Sequence, residues 1–124
     1  MMTKILVAED DPDLGLLLRS ILQNAGYEVL CITSGCPIVN HQCDWPDLFI
    51  IDKQMNPIDG FALCKFLRVN DRTKRIPIIL ISGDHASKNK ALDIGADYFM
   101  GKPLNVDELK KTIKALTTLR QDAA

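Results

Sequence analysis

The sequence predicts an α/β fold, a single doubly wound, five-stranded parallel sheet with helices on both faces. Two observations carry this. Short apolar runs recur along the chain, ILVA (5–8), VLCI (29–32), LFII (48–51), IILI (78–81) and YFM (98–100). Each is apolar at consecutive positions, as a strand buried on both faces must be. Between the runs lie stretches with helical spacing, so strand and helix alternate five times. At 124 residues the chain is long enough for one domain with a core of its own, without disulfides or metals as staples.

The elements follow in order. After the first run, Leu14, Leu17, Leu18, Ile21 and Leu22 repeat at i, i+3, i+4, i+7 and i+8, which predicts an amphipathic helix. Asp11 is its N-cap, Pro12 its first residue, and Ala25-Gly26 its close. A short second helix is expected from Pro37 to about Cys43, from poor helix formers. Two more are expected near 61–69 and 87–94, the latter stopped by Gly95. In the last helix Asn105 and Glu108 resemble a capping box, and Val106, Leu109, Ile113 and Leu116 form the buried stripe. The end after about Thr118 reads as a loose tail.

Composition narrows the function. A net charge of −1, a pI near 6.1 and scattered basic residues give no field for nucleic acid, so direct nucleic-acid binding is not expected. No apolar run reaches the roughly 18 residues of a membrane span, and the start is too short and too acidic for a secretory signal. No membrane association is expected, and the expected setting is the cytoplasm. Cys31, Cys36, Cys43 and Cys64 contain no CxxC, and the spacing of Cys36, His41 and Cys43 fits no common zinc pattern.

The stretch EDDPD places Glu9, Asp10, Asp11 and Asp13 directly after the first strand. Asp11 and Asp13 suit a helix N-terminus. Glu9 and Asp10 need another compensation. In open α/β sheets ligands bind beyond the carboxyl ends of the strands. There the third strand ends in Asp52, the fourth in Ser82, and the fifth is followed by Lys102-Pro103. If strands one, three, four and five are neighbours, three carboxylates, a hydroxyl and an ammonium meet at one edge. Carboxylate oxygens suit a hard cation such as Mg²⁺, which completes its shell with water and phosphate oxygens. An aspartate beside it can act as a nucleophile, and Ser82 and Lys102 can hold phosphoryl oxygens. Taken singly, Asp52 reads as a turn cap, Ser82 as a loop hydroxyl, Lys102 as a solvated charge and Phe99 as core. Their shared sheet edge favours the chemical reading.

ILVAEDD, IIDKQMNPIDG, IPIILISGD and GADYFMGKPL together resemble the motifs of the CheY-like receiver domains of two-component response regulators, over essentially the whole chain. The resemblance implies the flavodoxin-like strand order 2-1-3-4-5, a receiver (phosphoacceptor) domain over residues 1–120, and 121–124 as a tail. It implies Asp52 as phosphoacceptor. Asp10 would bind Mg²⁺ directly, Glu9 mostly through water, and Asp52 and the backbone carbonyl of Gln54 would complete the metal site. It also implies Ser82 as the switch hydroxyl, Phe99 as the switch aromatic, Lys102 as the phosphoryl-binding lysine, and a cis Lys102-Pro103 bond. Lys53 and Asp84 would sit at the pocket mouth.

The implied function is transfer of a phosphoryl group from a sensor histidine kinase, or a phosphotransfer protein, to Asp52, followed by a switch in a partner-binding surface. Such a module is no enzyme beyond its own phosphorylation and dephosphorylation. The sequence departs from the family at the loop, which usually reads DxxMPxxDG; Pro57 comes one place late, while the spacing from Asp52 to Gly60 is kept. A flavodoxin-like cofactor binder would need a Gly/Ser/Thr-rich phosphate loop where EDDPD stands. A metal-dependent phosphatase would need a substrate pocket or cap that the sequence does not show. A receiver that binds its partner without phosphorylation would not need the full acid, hydroxyl and lysine set.

Overall fold

Alternation of side chains along each strand sets the architecture. In the computed structural model, which describes residues 2–123, β1 (Lys4–Ala8), β2 (Glu28–Ile32), β3 (Leu48–Asp52), β4 (Ile78–Ser82) and β5 (Tyr98–Gly101) form one parallel sheet in the order β2-β1-β3-β4-β5. Ile5, Val7, Leu48, Ile50, Ile79, Ile81 and Met100 point to one face. There they meet Leu18 and Leu22 of α1 (Pro12–Asn24) and Leu109 and Ile113 of α5 (Val106–Ala123). Leu6, Ala8, Phe49, Ile51, Ile78 and Leu80 point to the other. That face is covered by α2 (Cys36–Val39), α3 (Gly60–Val69) and α4 (Lys88–Ile94) through Ile38, Leu63, Leu67 and Ala91. Successive residues of one strand therefore enter different cores, which is why each run is apolar throughout. β3 and β4 are buried along their whole length, whereas the edge strand β2 is not.

The helix ends are set locally. Asp11 accepts a hydrogen bond from the Asp13 N–H, with Pro12 opening α1 as expected. Asp59 accepts from Ala62 N–H at 2.8 Å and opens α3. α4 starts at Lys88, after a 3₁₀ turn at His85–Ser87, and Gly95 stops it. Asn105 accepts from Glu108 N–H at 2.9 Å, which is half of the expected capping box. The Glu108 carboxylate does not return the bond; it accepts the Tyr98 hydroxyl instead.

Two expectations are corrected. The second helix is four residues, Cys36–Val39, and does not run to Cys43. The chain leaves it at Asn40 and turns left-handed at His41 (φ 55°), whose ring lies edge-on to Trp45 and Phe66. The backbone also stays helical past Thr118, to Ala123, where a tail is expected. No glycine or proline interrupts that stretch. Among the described residues no helix is long and apolar enough to cross a membrane.

Candidate functional site

The strand ends deliver the site. Asp52 and Ser82 are the last residues of β3 and β4, held by sheet pairing and not by loops. At the end of β1, the Glu9 N–H still pairs with Ile32 O at 3.0 Å, which carries its side chain inward. Glu9 is 3% exposed, Asp52 2% and Ser82 0%. Asp10, one residue on, is exposed. Oxygens of Glu9, Asp10 and Asp52 all lie within 4.8 Å of one another, the one such cluster of metal-ligating side chains among the described residues.

Lys102 answers this charge. Its ammonium donates to Asp52 Oδ2 at 2.9 Å and to Glu9 Oε1 at 3.3 Å. The other Asp52 oxygen accepts from Gln54 N–H at 3.1 Å, and Glu9 Oε2 accepts from Asp11 N–H at 3.2 Å. Burial pushes the Glu9 carboxyl up to about 7, with help from its hydrogen bond to Asp52 and against the pull of the Asp11 N–H. Burial works against the Lys102 charge, but Asp52 and Glu9 outweigh it and hold the ammonium above its ordinary range. The positive charge stays where the carboxylates converge.

An open cleft of about 580 Å³ lies over these groups, lined by Glu9, Asp10, Asp52, Gln54 and Lys102 together with Asp11, Lys53, Met55, Asn56 and Asp59. The loop from Asp52 to Gly60 is folded tightly. Gly60 N–H donates to Lys53 O at 2.8 Å, and a Cβ on Gly60 would lie 2.5 Å from the Asp52 carbonyl oxygen. Only glycine fits there. The late Pro57 is accommodated with a cis Asn56-Pro57 bond, and Lys102-Pro103 is cis as the resemblance implies.

Ser82 and Phe99 do not line this cleft. Ser82 Oγ accepts the Asp84 N–H at 3.0 Å, and Phe99 packs against the core beneath α3 and α4. Of the two residues expected at the mouth, Lys53 lines the cleft; Asp84, 3.9 Å from its ammonium, does not. Cys36, His41 and Cys43 form no metal cluster, and the four cysteines are free thiols. Asp59, which has no role in the sequence reading, reaches the cleft rim, and His85, for which the sequence holds no signal, contacts the Lys102 carbonyl.

A sequence model of the response regulator receiver domain matches residues 5–114. The chain belongs to this family. As a receiver domain it is a phosphoacceptor module of two-component signal transduction. It is 36% identical over 115 residues to the transcriptional regulatory protein GltR of Pseudomonas aeruginosa, a match covering 90% of this chain and 48% of that one. The receiver spans about half the length of the curated relatives it matches. Its structure resembles the chemotaxis response regulator CheY4 of Vibrio cholerae, with TM-score 0.85, 28% identity and coverage of 94% and 99%. It also resembles the response regulator TrrA of Thermotoga maritima in complex with Mg²⁺-BeF, with TM-score 0.82, 31% identity and coverage of 93% and 99%.

Proposed function

We propose that this receiver, residues 1–120, takes a phosphoryl group on Asp52 from the phosphohistidine of a sensor histidine kinase or phosphotransfer protein. The observation that carries this is the Lys102 bridge to Asp52 and Glu9 inside a three-carboxylate cleft open to solvent. Asp52 has one oxygen tied to Gln54 N–H and the other to Lys102, so its carboxylate is aimed before any donor arrives. In the transfer an Asp52 oxygen forms the P–O bond while the P–N bond of the donor breaks, and the released imidazole takes up a proton. Lys102 holds a phosphoryl oxygen, and the Ser82 hydroxyl, which lies outside the cleft, reaches one only once it moves.

Glu9, Asp10, Asp52 and the Gln54 carbonyl are the residues that would hold Mg²⁺. A hard-oxygen donor set of this size fits that ion. Bound there, Mg²⁺ supplies positive charge against the phosphoryl oxygens. The new charge on Asp52 favours the conformation in which Ser82 and Phe99 move, altering the α4-β5-α5 surface toward a downstream partner. The module catalyses only its own phosphorylation and dephosphorylation, and the setting that this role implies is the cytoplasm. Intact mass after treatment with acetyl phosphate tests the reading: one phosphoryl group is gained with Mg²⁺ and none with EDTA. No gain in either condition overturns it.

A further inference from the structure

The end of β4 and the turn after it hold Lys102 by both of its backbone groups. Lys102 N–H donates to Ser82 O at 2.9 Å, and Lys102 O lies 3.0 Å from His85 Nε2. A carbonyl cannot donate, so Nε2 carries the proton. The ring reaches that carbonyl by lying over Gly101, where a Cβ would come within 2.7 Å of His85 Nε2. Any side chain at 101 would therefore push the imidazole off. His85 itself is aimed from below, because Asp84 accepts the Ala86 N–H at 3.1 Å and the Ser87 hydroxyl at 3.2 Å, fixing the 3₁₀ turn on which His85 sits.

We infer that His85 is a positioning residue, an imidazole strap that fits the gap at Gly101 and fixes Lys102 in register with the Ser82 loop, so that the ammonium meets the phosphoryl group on Asp52. The inference rests on the function proposed above, and it adds a residue and a glycine that act only through Lys102. The strap touches no carboxylate of the cleft. Its removal loosens a cation that pairs with Asp52 and Glu9, so it does not weaken Mg²⁺ binding, while it slows phosphoryl uptake. A general loosening of the fold would weaken both.

The test compares wild type with His85→Ala, His85→Gln, Gly101→Ala and the His85→Ala/Gly101→Ala double variant, measuring Mg²⁺ affinity and the rate of uptake from acetyl phosphate. Displacing a positioned group typically costs orders of magnitude at most, and the expected loss for His85→Ala is about tenfold. Gly101→Ala gives a similar loss by displacing the ring. The double variant is no slower than either single one, because both remove the same contact. His85→Gln, whose amide N–H can reach the same carbonyl, stays within about twofold of wild type. A wild-type rate in His85→Ala, losses that multiply in the double variant, or a parallel fall in Mg²⁺ affinity each overturns the strap. Imidazole ¹⁵N NMR of the protein without any phosphodonor separates this from the parent reading: a protected Nε2–H in wild type that is lost in Gly101→Ala supports the strap, and its absence in wild type overturns it. A wild type that takes up no phosphoryl group would overturn the proposed function alone.

Discussion

Lys102 and Asp52, separated by 50 residues in sequence, form an ion pair of 2.9 Å whose carboxylate is almost fully buried. The pair exists because the β3 end and the turn after β5 reach the same sheet edge, with β4 between them. It neutralises the carboxylate and fixes the ammonium that the proposed function sets against the phosphoryl group.

Replacing Lys102 by Ala leaves Asp52 and Glu9 facing each other without a cation. Removing one partner of a buried pair is costly, and with the ammonium partly solvated the expected loss in the metal-free protein is about 1–3 kcal/mol. Mg²⁺ still binds. Phosphorylation no longer shifts the NMR signals of α4, and a full α4 shift in phosphorylated Lys102→Ala would remove Lys102 from the switch.

Glu9 makes the metal-free protein pH-sensitive. Its carboxyl is raised from about 4.5 to about 7, so across that window the folded chain holds a proton that the unfolded chain has released. Its contribution is fully present below about pH 4.5 and is lost as pH rises through about 7. Melts in EDTA should therefore show a fall in stability over this range that flattens in Glu9→Gln. An unchanged slope in that variant would place the titration elsewhere.

The acids after β1 divide by task. Asp10→Asn should lose most of the Mg²⁺ stabilisation that wild type shows, about 2.7 kcal/mol at a hundredfold excess over Kd. Asp11→Ala should cost about 1 kcal/mol through the lost α1 cap but keep the Mg²⁺ response. Thermal melts with and without Mg²⁺ distinguish them, and the reverse pattern would exchange their roles.

Arg68 ties α3 to the segments that enter β4 and β5 at their amino ends. It donates to Gly95 O at 2.8 Å and Ile76 O at 2.7 Å and pairs with Asp97 at 2.6 Å, while Asp97 also accepts the Ile78 N–H. Arg68→Ala leaves the Gly95, Ile76 and Lys74 carbonyls and the Asp97 carboxylate short of a partner, with an expected cost of about 2–4 kcal/mol in urea unfolding. A loss below about 0.5 kcal/mol, the ordinary surface value, would mean water replaces the clamp.

The sheet was legible because its central strands β1, β3 and β4 are buried on both faces, so runs such as LFII and IILI stand out without any periodicity. That Asp52 and Lys102 meet was legible because residues at or just after the carboxyl ends of parallel strands share one sheet edge. The extent of α2 was not, since Cys36–Val39 is held by packing around Ile38 and ends at the His41 turn, neither of which local propensity records. α5 continues past Thr118 by propensity in a stretch whose apolar stripe has already faded. Glu9 reads as a charged ligand in sequence, and only its burial shows that it keeps a proton into the neutral range. His85 was invisible because its role depends on the space at Gly101, sixteen residues away.

The central claim is that Asp52 accepts the phosphoryl group, and intact-mass analysis of wild type and Asp52→Asn after acetyl phosphate with Mg²⁺ tests it most directly. The amide keeps the side-chain shape but lacks the nucleophilic oxygen pair. Wild type should gain one phosphoryl group and Asp52→Asn none. Undiminished labelling of Asp52→Asn would place the acceptor on another residue and contradict the account.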